Sequence, residues 1–267
     1  MKTKERDKKE ANAKLFSLVK VSFLKKGFVT AILVIAVLAM FTAAVASADD
    51  PSETATGWVV GLPIDGYGTI LYTTDGGNTW ERQGSVGEIP NVPLNGVSAV
   101  DSNTAWVVGD YGVILYTTDG GNTWTRQGEG EIPDKNLFKV SAVDRNTAWA
   151  IGFNGTVLHT ADGGNTWVQQ GGDTIPAVIL QGVFAVDNEN AWVTGDTFEG
   201  YATIFHTTDG GNTWTRQGSA AEFADGHFLG VSAADSNNAW AVGGHTLGLL
   251  FPSLVFHTTA GGNTWVN

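Results

Sequence analysis

Five versions of one segment set the terms for any fold of this chain: "LYTTDGGNTWERQG" at residues 71–84, "LYTTDGGNTWTRQG" at 115–128, and further versions beginning at Leu158, Phe205 and Phe256. Their tryptophans are Trp80, Trp124, Trp167, Trp214 and Trp265, spaced 44, 43, 47 and 51 residues apart. A second motif precedes each copy, around Trp58, Trp106, Trp149, Trp192 and Trp240. These are all 10 tryptophans in the chain, so each occupies a repeat position. Core aromatics behave in this way; a single ligand platform does not. A period of this size marks an array of units that bury their apolar faces only by stacking on one another.

The second copy shows what one unit contains. "NGVSAVD" (95–101), "TAWVVGD" (104–110), "VILYTT" (113–118) and "TWTRQG" (123–128) read as four short strands, with turns at "SN", "YG" and Asp119-Gly120-Gly121-Asn122. Four antiparallel strands in about 45 residues are the signature of a β-propeller blade. No amphipathic run at 3.6 spacing follows Ala48, so helix is excluded as the main element. The expected fold is an all-β propeller of about five four-stranded antiparallel blades, in units of about 54–84, 94–128, 137–171, 179–218 and 228–267. Unit 1 lacks a credible first strand, because "DDPSETA" is a poor one, and unit 5 stops two residues after Trp265. The array is therefore either a five-bladed ring with an imperfect seam or a truncated piece of a larger propeller.

The first 48 residues belong to a different class. Residues 1–26 carry nine Lys/Arg against three acids, and an uncharged apolar run from Phe28 to about Val45 follows and closes on Ala46-Ser47-Ala48. That order is expected of an export signal, with an uncleaved membrane anchor as the alternative. In both cases the rest of the chain, 49–267, is expected outside the cytoplasm, secreted, periplasmic or anchored facing outward. Beyond residue 26, six Lys/Arg face 24 Asp/Glu, a net charge of −18. Such a domain repels phosphate backbones, which disfavours nucleic-acid partners. With no cysteine there are no disulfides and no thiolate chemistry. No phosphate loop, dinucleotide fingerprint or nucleophile elbow occurs, so no cofactor is expected.

The pattern Thr117-x-Asp119-x-Gly121-x-Thr123-Trp124 resembles the Asp-box, or bacterial neuraminidase repeat. The copies at Thr73–Trp80, Thr160–Trp167 and Thr207–Trp214 match in full, and the last has Ala260 in the Asp position. Together with "VSAVD" and "NTAWVVG", the chain is most similar to propellers of the photosystem II stability/assembly-factor type. That resemblance implies a structural hairpin on the propeller rim, away from any active site. The chemistry agrees. Asp75, Asp119, Asp162 and Asp209 enter Gly-Gly-Asn turns, where a carboxylate can accept hydrogen bonds from the following N–H groups. The glycines supply the positive φ that such turns need, and the tryptophans cover apolar area between blades.

The same resemblance raises the question of catalysis, because sialidases share the box and gather three arginines at the propeller axis. Arg82, Arg126 and Arg216 fall on expected fourth strands, the outermost in each blade, and should not converge on one carboxylate. His159, His206 and His257 share one repeat position, one per blade. His227 and His245 fall outside that position and are the only pair worth testing for a metal. No catalytic constellation emerges.

Departures from the repeat point to binding. The loops joining strand two to three, and strand four to the next strand one, share one propeller face. Longer second loops occur at 62–68, 196–202 and 245–253, the last with Leu247, Leu249, Leu250 and Phe251. Exposed apolar groups of that kind mark partner sites. Between blades lie Glu88, Glu129, Glu131, Asp134, Asp173, Glu222 and Asp225. This face is read as acidic and protein-binding. Photosystem assembly relatives bind their subunits through an arginine-rich patch, which four arginines and two lysines beyond the leader do not provide. What carries over is an exported, non-catalytic scaffold propeller. A glycan-binding or glycoside-hydrolase propeller is the alternative.

Overall fold

The structure is a computed structural model that describes residues 42–46, 55–130, 132–224, 226–245 and 254–267. Strands β1 (Thr42–Ala46), β2 (Thr56–Ile64), β3 (Tyr67–Thr73) and β4 (Glu81–Arg82) form blade 1. Blade 2 holds β5 (Leu94–Ala99), β6 (Ala105–Gly109), β7 (Ile114–Thr117) and β8 (Thr125–Arg126). Blade 3 holds β9 (Leu137–Ala142), β10 (Ala148–Gly152), β11 (Val157–Thr160) and β12 (Val168–Gln169). Blade 4 holds β13 (Leu180–Ala185), β14 (Ala191–Phe198), β15 (Tyr201–Thr207) and β16 (Thr215–Arg216). A one-turn helix α1 (Ala220–Phe223) leads to blade 5, made of β17 (Gly226–Ala233), β18 (Ala239–His245) and β19 (Leu254–Thr258). In blade 5 a bridge between His257 and Val266 stands where the other blades have an outer strand. Every pairing within a blade is antiparallel, in chain order from the inside out.

The second strand of each blade is central and buried on both faces, which is why "AWVVG" and "AWAIG" read as continuous apolar runs. One face of each blade packs on the next. Trp106 meets Trp167, Trp149 meets Trp214 and Trp192 meets Trp265, edge to face, at 5.6, 5.7 and 5.8 Å between ring centroids. The core is therefore a series of separate inter-blade clusters, one between each consecutive pair. Inner strands are stapled across the gap as well: Ala142 N–H donates to Ser98 Oγ and Ala185 N–H to Ser141 Oγ, both at 3.0 Å.

One feature differs from the sequence expectation. Blade 1 is not missing its inner strand. β1 supplies it, with Thr42 opposite Val60 and Ala46 opposite Thr56. The sequence masks this strand because "TAAVA" ends an apolar run that reads as a leader. Among the described residues, blades 1 and 5 share no strand packing of the kind that joins consecutive blades.

Candidate functional site

The backbone connections define two faces. On one, each box turn rests on the first turn of its own blade, with Gly120 N–H donating to Asn103 O and Gly163 N–H to Asn146 O at 2.9 Å. On the other, each turn between second and third strands is tied to the linker entering the next blade. Gly68 N–H donates to Pro90 O, Gly112 N–H to Lys135 O and Gly155 N–H to Val178 O.

On the first face the four complete boxes repeat one network. In blade 2, Asp119 accepts from the Thr117 hydroxyl (2.8 Å), the Thr123 N–H (2.9 Å) and the Thr123 hydroxyl (2.7 Å). Thr117 Oγ also accepts the Gly121 N–H at 2.9 Å, and Asn122 Nδ2 donates to Asp119 O at 2.6 Å. Asp75, Asp162 and Asp209 make the same set. The N–H of the box Thr, followed by the threonine hydroxyls, holds Asp119, Asp162 and Asp209 below the usual carboxylate range and lowers Asp75 to about 2. A carboxylate so saturated and so acidic is a poor proton acceptor at neutral pH. Sequence reasoning took the first threonine for a strand former and missed its second role as the hydroxyl that closes the turn. In the last copy, Thr258 Oγ still accepts from Ala260 N–H (3.2 Å) and Gly262 N–H (3.0 Å), so the turn survives without its carboxylate.

The histidines at the repeat position pack on tryptophans. His159 and His206 stack on Trp149 and Trp192 at 3.9 and 3.7 Å, where blades 1 and 2 have Tyr72 and Tyr116. Those two tyrosines pack on Trp58 and Trp106 in the same way and also reach the next blade, donating to Ser102 O and Arg145 O at 2.9 Å. His227 lies opposite Gly244 and His245 opposite Gly226 in the β17–β18 register. Among the described residues no group of three metal-ligating side chains stands together.

The arginines are used locally. Arg82 lies over the Tyr67 ring at 3.9 Å, pairs with Asp65 at 3.3 Å and donates to Ile64 O. Arg216 repeats this on Tyr201 at 3.7 Å, Glu199 at 3.1 Å and Phe198 O. Each clamps the longer β2–β3 or β14–β15 hairpin of its own blade, and Arg126 pairs with Glu129 at 3.7 Å. The three do not converge.

The second face carries what the repeat does not explain. The tips of its turns sit in left-handed backbone: Asp65, Tyr111, Asn154 and Glu199, at φ of 53°, 57°, 60° and 55°. After two of them glycine is compulsory, since a Cβ at Gly112 or Gly155 would fall 2.5 or 2.3 Å from the carbonyl oxygen of Pro133 or Pro176. For an aromatic such as Tyr111 the left-handed region is costly, which makes it a functional candidate. Tyr111 is 61% exposed and Phe153 51%, and Leu62, Ile64 and Phe198 are also exposed. Blades 1 to 4 thus each present an apolar side chain at the same turn. Sequence reasoning treated "GDYG" only as a turn; its signal was the aromatic standing at the tip.

Of the expected binding residues, Glu129 and Asp134 are exposed beside this row. With Tyr111, Gly112, Arg126 and Ile132 they line an open pocket of about 320 Å³. Glu131, Leu247, Leu249, Leu250 and Phe251 lie outside the described residues. Glu88 and Glu222 have a different task from the one their acidity suggested. Each accepts the backbone N–H of the next blade's box tryptophan, Trp124 at 2.9 Å and Trp265 at 3.4 Å.

Residues 41–133 match the family model described as photosynthesis system II assembly factor YCF48. A GH74 enzyme of Niastella koreensis aligns at a TM-score of 0.63 and 20% identity, over 85% of this chain and 38% of that one. YCF48 from Cyanidioschyzon merolae aligns at 0.60 and 21%, over 85% and 69%. A six-bladed fungal lectin from Aleuria aurantia aligns at 0.51 and 12%, over 86% and 77%. The chain thus spans well under half of the GH74 enzyme. At these identities the structural likenesses speak for the fold. No curated protein matches. The family match covers β1 to β8, the first two blades: over that stretch the chain is similar to the photosystem II assembly factor, and over its described length it has a β-propeller fold.

Proposed function

We propose that this chain is an exported, non-catalytic propeller that binds a protein partner through the face of its second-to-third-strand turns. The observation that carries this reading is the row of exposed apolar side chains there: Leu62 and Ile64, Tyr111, Phe153 and Phe198. A surface that is net acidic and carries aligned apolar groups suits a protein surface better than a phosphate-bearing one. Relationship to an assembly-factor family supports a scaffold role. The double change Tyr111→Ser and Phe153→Ser tests it. Both side chains are exposed, so the melting temperature should hold while co-purification of a defined protein from the envelope fraction is lost. Unchanged co-purification would count against the reading.

Glycan binding is the second reading, favoured by the GH74 and lectin folds. A glycan array and a panel of glycosides with the same double variant separate the two. Turnover or binding that the variant abolishes would favour glycan.

Export rests on the basic stretch and apolar run of the leader. Because β1 occupies Thr42–Ala46, cleavage after Ala48 would remove the inner strand of blade 1 and bare an edge of β2. The exported form is therefore expected to keep residues 42–46, as a chain cut upstream of Thr42. Intact-mass measurement on the exported protein checks this, and a mature chain starting at Asp49 would contradict it.

A further inference from the structure

The inner strands of blades 2 to 5 share a bulge near their start, and blade 3 breaks its pattern. In blades 2, 4 and 5 the pairing skips one residue between Leu94 and Gly96, Leu180 and Gly182, and Phe228 and Gly230. In blade 3 the skip falls between Leu137 and Lys139, so a lysine stands where the other three have glycine. Bulges re-aim side chains and recur beside functional sites.

The glycines let consecutive inner strands approach backbone to backbone. A Cβ at Gly96 would lie 2.9 Å from Phe138 O and 3.0 Å from Lys139 Cα, and one at Gly182 would lie 2.9 Å from Gly230 Cα. Ser141 accepts an N–H from blade 4, and the period of a strand puts Lys139, two residues before it, on that same side. The neighbour it meets there is Gly182 of β13, which has no side chain to obstruct the lysine stem. The fold accommodates the lysine: the Ser141 staple keeps the 3.0 Å of its Ser98 counterpart.

The Lys139 amine has no counterion. All four described arginines pair with a carboxylate. Lys139 is half-buried and, among the described residues, reaches neither a carboxylate nor a hydrogen-bond acceptor. Burial pushes its amine below the usual lysine range. It sits in the third blade, with described inner strands on both sides, β5 and β13. A desolvated amine without a partner costs stability that glycine at this place would spare.

We propose that Lys139 forms an anion site on the inner strand of blade 3 that takes a carboxylate. A lone ammonium is a compact point charge that matches one carboxylate, whereas a doubly charged phosphoryl group is disfavoured by the strongly acidic domain around it. The carboxylate comes either from a free organic acid or from a protein side chain or chain end. The site goes beyond the turn-face reading and does not depend on it.

Reductive 13C-methylation of the lysines in the full chain reads the amine directly, with Lys139→Met assigning its resonance. In sodium acetate its titration midpoint should rise by about one to three pH units over sodium chloride of equal ionic strength, as for an amine gaining an opposite charge. Lys139→Met keeps the stem and removes the charge. It should melt no lower than wild type in chloride and should lose any rise in Tm that acetate gives the wild type. Carbodiimide coupling in an envelope extract, which joins a carboxylate to an amine while the reagent takes up the water, then separates the two sources. A protein adduct mapped to Lys139 assigns the carboxylate to a protein, and an acetate response without an adduct assigns it to a free acid. A midpoint equal in acetate and chloride would overturn the proposal. So would Lys139→Met melting well below wild type in chloride, because the amine would then have its counterion within the chain.

Discussion

Replacing Asp119 by Ala isolates what the repeated carboxylate does. The change removes three hydrogen bonds, from the Thr117 hydroxyl and from the N–H and hydroxyl of Thr123. A net hydrogen bond is worth about 1 kcal/mol, and water replaces part of that at an exposed rim, so the expected loss is about 1.5 kcal/mol. Thr117 Oγ keeps the Gly121 N–H, so the hairpin should persist, as it does around Ala260. In a domain of this size the loss corresponds to a fall in Tm of about 4 °C. The sign with pH follows from the direction of the shift. The Thr123 N–H lowers the folded-state carboxyl below its unfolded value of 3.8, so the native state binds fewer protons than the unfolded one. The stabilisation is complete above that value and is lost as pH falls through the folded-state value. Urea titrations of both proteins should therefore differ at pH 7 and converge in strong acid. The reciprocal change Ala260→Asp, with Thr258 and Thr264 already in place, should add about 1 kcal/mol. A difference unaltered in acid, or no loss at pH 7, would refute the hydrogen-bond account.

Other predictions address packing and charge. Burial pushes His206 down from 6.5 to about 4, so neutral His206 stabilises fully above pH 6.5. Stability should fall by up to about 3 kcal/mol as pH drops from 6.5 to 4. His206→Tyr, the residue type of blades 1 and 2, should flatten that slope in denaturant titrations. Trp149→Ala should cost about 3–5 kcal/mol, whereas Trp240→Ala in dilute solution should cost about 1 kcal/mol, in proportion to its exposure. Arg216→Ala should leave global stability within about 1 kcal/mol, since its ion pair is with an exposed acid, yet speed amide exchange in the hairpin around Glu199.

The architecture was legible because the repeat writes each blade in full: a buried central strand around Trp106 or Trp149, a glycine turn, and a box closed by Trp124 or Trp167. Blade 1 was not legible, because its inner strand "TAAVA" shares composition with an export signal, and strand pairing is a long-range fact that local pattern does not encode. The acids were misread where they look alike in sequence and differ in reach. Glu88 and Glu222 cap the next blade's tryptophan N–H, whereas Glu129 stands in solvent. The row formed by Tyr111 and Phe153 escaped notice because each turn is ordinary alone; only stacking of the blades aligns them.

The central claim, that function lies on the turn face and the box face is structural, is tested most directly by site-specific photo-crosslinking of the exported chain. A crosslinking amino acid at position 111 or 153 should yield a discrete protein adduct. The same group at Asn122 or Asn165, on the box face, should yield none. Adducts from the box positions alone, or the same adducts from both faces, would contradict the account.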